Sequence, residues 1–278
     1  MANTRAQTGY ASAKGLEMYY EIHGAGRPLV LLHGGLGTID MFGPLLPALA
    51  ETRQVIAVEL EAHGHTANID RPLSYEQMAD NIAALMGHLG LANSDILGYS
   101  LGGGVAEQTA IRHPEVVRKL VLISTTCKSD GWYPEVRAGM ASMNAKAAEA
   151  MVGSPMHQFY ANVAPKPEDW PVLVARLGQL LREEYDWSTA VAAIKAPTLI
   201  VVGDADSIRP AHALEMFGLL GGGKADGAMG GLANSQLAVL PGTTHMNILA
   251  RTDRLLPIVV SFLDAPPARA HMKEVMFR

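Results

Sequence analysis

The stretch Ile96-Leu97-Gly98-Tyr99-Ser100-Leu101-Gly102-Gly103-Gly104 constrains this chain more than any other. An apolar run enters it and a helix-compatible run leaves it, so it reads as strand, tight turn and helix in succession. Gly98, Ser100 and Gly102 fit the pattern G-x-S-x-G, in which a serine sits on a sharp turn between a strand and a helix. Such a turn holds the serine in strained φ/ψ, and a Cβ on either flanking glycine collides with the neighbouring strand or helix. A pentapeptide is short. Its weight comes from a strand before it, a helix after it, and an acid and a histidine downstream in that order.

The flanking sequence supplies the strand–helix rhythm. Leu16 to Ile22 alternates like a half-exposed strand after a polar arm, and Pro28 to Leu32 is a continuous apolar run of the kind buried on both faces of a parallel sheet. It ends in the glycine-rich His33-Gly34-Gly35-Leu36-Gly37, before a helical pattern from Met41 to Ala50. Gln54 to Val58 is a further strand, and Ser74-Tyr75-Glu76-Gln77 opens a helix to about Leu89 with a capping-box pattern. Asp95 to Leu97 enters the serine turn, Gly103 to His113 reads as a helix, and Lys119 to Ile123 is the next strand. Short apolar runs alternating with helices predict an α/β protein with a mostly parallel sheet covered on both faces.

From about 125 to 194 the rhythm changes to helical patterns rich in Ala and Met, broken by Pro134, Pro155, Pro165, Pro167 and Pro171, with no strand-like run. This predicts a helical cap inserted into a core spanning about 10–124 and 195–264, the whole forming a single domain over 1–278. Met140, Met143, Met151 and Met156 either line a pocket in the cap or pack its helices. The sheet resumes at Pro197 to Val202 and runs into Gly203-Asp204-Ala205-Asp206. A helix over 211–220 leads into a glycine-rich surface loop over 221–231. Gln236 to Leu240 runs into Pro241-Gly242-Thr243-Thr244-His245, and a last helix covers about 248–263, with a loosely held tail after Pro266-Pro267.

Composition narrows the function. With 49% hydrophobic residues the chain can bury a large core, and a net charge of −5 without any basic run disfavours nucleic-acid binding. Cys127 is the sole cysteine, so an intramolecular disulfide and a thiolate metal cluster are excluded. The first residues lack the apolar core of a signal peptide, and no apolar run reaches the ~18 residues of a membrane span. The expectation is a soluble, cytoplasmic protein, monomer or homodimer, without contact with a membrane.

Ser100, Asp206 and His245 each follow a strand, and the carboxyl ends of parallel strands are where open α/β sheets place their ligands. Together with Leu32-His33-Gly34-Gly35, these motifs make the chain resemble an α/β-hydrolase-fold serine hydrolase, of the carboxylesterase or lactonase kind, from about Leu16 to Leu263. The resemblance implies an eight-stranded, mostly parallel sheet flanked by helices. It also implies a triad of Ser100 as nucleophile, His245 as base and Asp206 as the acid that orients it, with Asp204 as the alternative acid. The oxyanion donors it implies are the N–H groups of Leu101 and Gly35, with Leu36 as the alternative to Gly35. No cofactor and no metal is required.

His63-Gly64-His65 beside Glu59 and Glu61 has the look of half a metal site, but no H-x-H-x-D-H or H-E-x-x-H pattern accompanies it, and loop support is the simpler reading. Relatives of this kind often carry Asp-x-Arg-Gly-His-Gly where this chain has Glu59-Leu60-Glu61-Ala62-His63-Gly64-His65. The implied activity is hydrolysis of a small-molecule carboxylic ester or lactone, bulky or apolar, a macrolide or an acyl-homoserine lactone among the candidates. A cofactor-free haloperoxidase (perhydrolase) or a carbon–carbon bond hydrolase on the same triad is the alternative. A dehalogenase or epoxide hydrolase is disfavoured because Ser100 stands where those enzymes carry Asp, and a non-enzymatic binding protein because the triad is complete.

Overall fold

A computed structural model of the chain describes residues 6–225 and 232–266. Part of the glycine-rich 221–231 segment and the tail beyond Pro266 lie outside these residues. The eight strands are β1 (Gln7–Ala13), β2 (Leu16–His23), β3 (Arg27–Leu32), β4 (Arg53–Val58), β5 (Ser94–Tyr99), β6 (Val117–Ile123), β7 (Thr198–Ala205) and β8 (Ser235–Thr244). They form one sheet in the order β1-β2-β4-β3-β5-β6-β7-β8. β1 and β2 run antiparallel to their neighbours, and β3 to β8 are parallel.

The continuous apolar runs follow from burial on both faces. Along β3, Val30 and Leu32 enter one core layer while Leu29 and Leu31 enter the other, and β6 repeats this with Leu120 and Leu122 against Val121 and Ile123. The first layer is closed by α2 (Tyr75–His88), α3 (Leu101–Arg112) and α9 (Pro210–Leu219). The second is closed by α1 (Leu45–Ala50) and α10 (Thr252–Asp264). A period of two thus feeds two separate cores from every central strand.

Between β6 and β7 lie only helices: α4 (Pro134–Ala141), α5 (Ala145–Ala150), α6 (Pro155–Ala161), α7 (Trp170–Arg182) and α8 (Ser188–Val191). This is the helical insertion expected from the proline-punctuated segment. Met143, Met151 and Met156 pack against the larger core layer.

Two local expectations differ from the structure. β1 pairs with β2 across its whole length, although Gln7-Thr8-Gly9-Tyr10-Ala11-Ser12-Ala13 is too polar to announce a strand. The pattern over 41–50 is not one helix but a 3-10 turn over Ile39–Phe42 and then α1, because Gly43 at φ 45° and Pro44 interrupt it.

At the end of the sheet opposite the serine turn, a buried lysine closes the last helix. Lys119 on β6 donates its Nζ to the carbonyls of Phe262 (2.6 Å), Leu263 (3.1 Å) and Ala265 (2.6 Å). These are carbonyls that the C-terminus of α10 leaves without helical partners, and an ammonium is the right charge for that end of the helix dipole. Arg118 donates to buried Asp95 alongside, and Arg53 pairs with Asp264.

Candidate active site

β5 ends at Tyr99 and α3 starts at Leu101, leaving Ser100 alone at the turn with φ 53° and ψ −116°. A non-glycine residue there carries strain on the order of 1–3 kcal/mol, so the surroundings must impose it. Ser100 N–H donates to the Ile123 carbonyl on β6 at 2.9 Å, and the Ser100 carbonyl accepts the N–H groups of Gly103 (2.9 Å) and Gly104 (3.2 Å). The glycine spacing also has a steric cause. A Cβ on Gly98 would run into the Gly102 carbonyl, and a Cβ on Gly102 into the carbonyls of Leu32 and His33.

Three side chains separated widely in sequence meet at this rim. Ser100 Oγ lies 3.0 Å from His245 Nε2, and His245 Nδ1 lies 2.8 Å from Asp206 Oδ1. With Nδ1–H donating to the carboxylate, Nε2 is left to accept the serine proton. Asp206 is nearly buried, and burial alone would raise its pKa. The hydrogen bonds from His245, Ser124 and Gly203 N–H outweigh that and hold it below the ordinary carboxylate value. Ser124 Oγ donates to Oδ2 at 2.5 Å, Gly203 N–H to the same oxygen at 3.0 Å, and Ser207 N–H to Oδ1 at 2.7 Å.

His245 is held from two further sides. The Tyr99 ring stands 5.3 Å away and its hydroxyl donates to the His245 carbonyl at 2.7 Å; the Trp132 ring lies 5.5 Å away on the cap side. Trp132 is fixed by the acid loop: Tyr133 N–H donates to the Ser207 carbonyl at 3.2 Å and Arg209 N–H to the Gly131 carbonyl at 2.9 Å. Its indole N–H reaches the Tyr185 hydroxyl at 3.4 Å, and that hydroxyl bonds Thr126 Oγ1 at 2.7 Å.

The loop after β3 is pinned by two histidines. His33 Nδ1–H donates to the Gly34 carbonyl (2.8 Å) and Nε2 accepts the Leu60 N–H (3.1 Å). His63 mirrors this, with Nδ1–H on the Glu61 carbonyl (2.9 Å) and Nε2 accepting the Leu36 N–H (3.2 Å). Each loop thus lends a histidine to the other. Burial, followed by the neighbouring His63, pushes His33 down to about 3, and burial pushes His63 down to about 4. Both rings are neutral supports. Among the described residues the N–H groups of Gly35 and Leu101 donate to no protein acceptor; Leu101 directly follows Ser100, and a Cβ on Gly34, the residue before Gly35, would stand 3.4 Å from Ser100 Cβ.

The family model described as "alpha/beta hydrolase fold" matches residues 27–170, a little over half of the chain, including the early glycine loop and the serine turn. The chain belongs to the α/β-hydrolase fold family. Among curated α/β-hydrolase relatives it is 30% identical to a pimeloyl-[acyl-carrier protein] methyl ester esterase of Neisseria meningitidis serogroup B, over 86% of this chain and 93% of that one. It is 27% identical to a non-heme haloperoxidase of Rhodococcus erythropolis, over 91% and 98% of the two chains. In fold it resembles a thermophilic esterase from Thermogutta terrifontis, with a TM-score of 0.69 and 24% identity over 94% of this chain and 98% of that one.

Other candidates separate cleanly from this α/β-hydrolase site. Asp204 is exposed and its Oδ1 accepts Thr243 N–H at 3.0 Å, pinning the irregular stretch where β7 meets β8 rather than facing His245. His63 spends both ring nitrogens on backbone groups and His65 Nδ1 reaches Glu59 at 2.9 Å; no group of three potential metal ligands occurs among the described residues. Cys127 Sγ stands 3.8 Å from His212 Nε2, a pairing with the outline of a thiol–imidazole couple. Yet that nitrogen already accepts the Cys127 N–H, and burial pushes the thiol up to about 12. No helix among the described residues is long and apolar enough to cross a membrane. Ser124 and Trp132 escape sequence reading, since neither sits in a motif; only the position of Ser124 immediately after a strand hints at the rim.

Proposed function

We propose that the protein is a serine-dependent carboxylic ester or lactone hydrolase that works through an acyl-enzyme on Ser100. The observation that carries this reading is the continuous relay from Ser100 Oγ through His245 to Asp206 at 3.0 and 2.8 Å. As Ser100 Oγ attacks the carbonyl carbon, its proton passes to His245 Nε2. Asp206 holds the imidazole tautomer and stabilises the imidazolium, and the oxyanion forms against the N–H groups of Leu101 and Gly35. When the bond to the leaving oxygen breaks, His245 Nε2–H protonates that oxygen. A water then attacks the acyl-enzyme, giving its proton to His245, and Ser100 recovers a proton from His245 as the acid departs. Leu101, next to Ser100, and Trp132, against His245, are apolar and buried, which favours a small-molecule substrate with apolar groups around its carbonyl.

A p-nitrophenyl ester series, with and without a serine-reactive phosphonate, tests the reading. Hydrolysis is expected to vanish in Ser100→Ala and in phosphonate-treated protein; undiminished hydrolysis in either sinks it. The haloperoxidase relative favours a second reading on the same residues, in which hydrogen peroxide replaces water at deacylation and a peracid leaves. Peracid formation from a short carboxylic acid and peroxide, dependent on Ser100, supports that reading, and its absence removes it.

A further inference from the structure

A cap side chain, Leu177, reaches the glycine-rich loop at Gly35. Leu177 on α7 is 1% exposed, and its Cδ2 lies 2.9 Å from where a Cβ on Gly35 would stand. Gly35 is half-buried, so Leu177 covers it from the cap while leaving part of it open. The two groups on a substrate carbonyl are then sorted by geometry. The leaving oxygen must face His245, which protonates it, and Trp132 stands against His245. With the carbonyl oxygen at the N–H groups of Gly35 and Leu101 and the leaving oxygen at His245, the acyl chain would take the remaining side, and Leu177 is the cap side chain that stands against Gly35 there.

The preceding residue ties this contact to the core. Arg176 donates to Asn68 Oδ1 at 2.5 Å and to the Ile69 carbonyl, and faces Asp70 at 3.5 Å. Among the described residues it is the one α7 side chain that hydrogen-bonds outside the insertion; Trp170 and Arg182 bond to Ala148, Ala141 and Met143 within it. A crevice of about 120 Å³ runs between the same core loop at Gly64 and Asn68 and the cap at Tyr160 and Lys166. Cap and loop leave this space between them, and Arg176 bonds the same loop beside it, at Asn68 and Ile69.

We propose that Leu177, held in place by Arg176, sets the size of the acyl group the enzyme accepts. The proposal rests on the acyl-enzyme reading of Ser100. Its test keeps p-nitrophenol as the leaving group and varies only the acyl chain, from acetate through butyrate to octanoate. Rates are normalised to active sites titrated with the phosphonate, which removes misfolded protein from the comparison. Shortening the side chain in Leu177→Ala is expected to raise the octanoate-to-acetate ratio of kcat/KM roughly tenfold, the scale on which apolar pockets discriminate methylenes. Leu177→Phe is expected to lower the ratio, and Arg176→Met to raise it part of the way. A ratio unchanged in both Leu177 variants, with Ser100→Ala inactive, overturns the gate and leaves the esterase reading standing. A ratio that moves in the Leu177 variants but not in Arg176→Met removes the role of Arg176. Hydrolysis that survives Ser100→Ala removes the esterase reading and the gate with it.

Discussion

His63 accepts the backbone N–H of Leu36 through Nε2 at 3.2 Å, while the adjacent N–H of Gly35 has no acceptor among the described residues. That bond separates the two donors the glycine-rich loop offers. Leu36 is already spent on a neutral imidazole, and Gly35 is the loop N–H left for the oxyanion of the proposed reaction. The same bond is expected to weaken in acid, because His63 can hold Leu36 only while its Nε2 lone pair is free.

The first prediction follows from that lone pair. His63 sits near 4 in the folded protein against an ordinary 6.5, so the unfolded chain binds a proton that the folded chain refuses. Its contribution to stability is therefore complete above about pH 6.5 and is lost as the pH falls toward about 4. His63→Gln keeps an acceptor without titrating. Its denaturant midpoint is expected to lie below that of the parent at pH 7.5, with the gap narrowing steadily down to about pH 4. A gap that stays constant across that range rejects the account.

Glu107 on α3 carries the opposite sign. It is completely buried, neither carboxylate oxygen has a hydrogen-bond partner among the described residues, and burial pushes its pKa up to about 8. The folded protein holds this proton where the unfolded chain has released it, so stability declines as pH rises from about 4.5 to about 8. Glu107→Gln removes the titration, and thermal unfolding is expected to show its stability relative to the parent growing across that window. Parallel curves for the two proteins would falsify the assignment.

For the acid of the proposed triad, the two neighbouring aspartates give a clean contrast. Asp206→Asn presents an amide to Nδ1, which favours the wrong imidazole tautomer, and kcat is expected to fall by roughly 10⁴. Asp204→Asn keeps an acceptor for Thr243 N–H and is expected to leave kcat within a few-fold while lowering the melting temperature slightly. Steady-state kinetics on one p-nitrophenyl ester decides between them. A larger loss at Asp204 reverses the assignment.

What the sequence makes legible here is what pleating and turns make obligatory. Val30 and Leu32 against Leu29 and Leu31 must be apolar because both faces of β3 are covered, so the strand is visible as an unbroken run. Gly98 and Gly102 are visible because carbonyls occupy the space of their side chains. β1 is not, since an edge strand with exposed Gln7 and Thr8 has no pattern to enforce. Ser124 and Leu177 are equally silent: a serine and a leucine suit countless positions, and their meaning arises from Asp206 and Gly35, which reach them only through the tertiary fold.

The lysine at the far end of the sheet bears on the order in which the chain can be completed. Lys119 is matched by carbonyls of residues 262, 263 and 265, which follow it by more than 140 positions. A nascent chain that has just extended β6 has none of these carbonyls to receive that ammonium, and enclosing it without its hydrogen-bond acceptors would cost several kcal/mol. Closure of the second core layer at this end of the sheet is therefore expected to wait for α10, however early the serine turn is made.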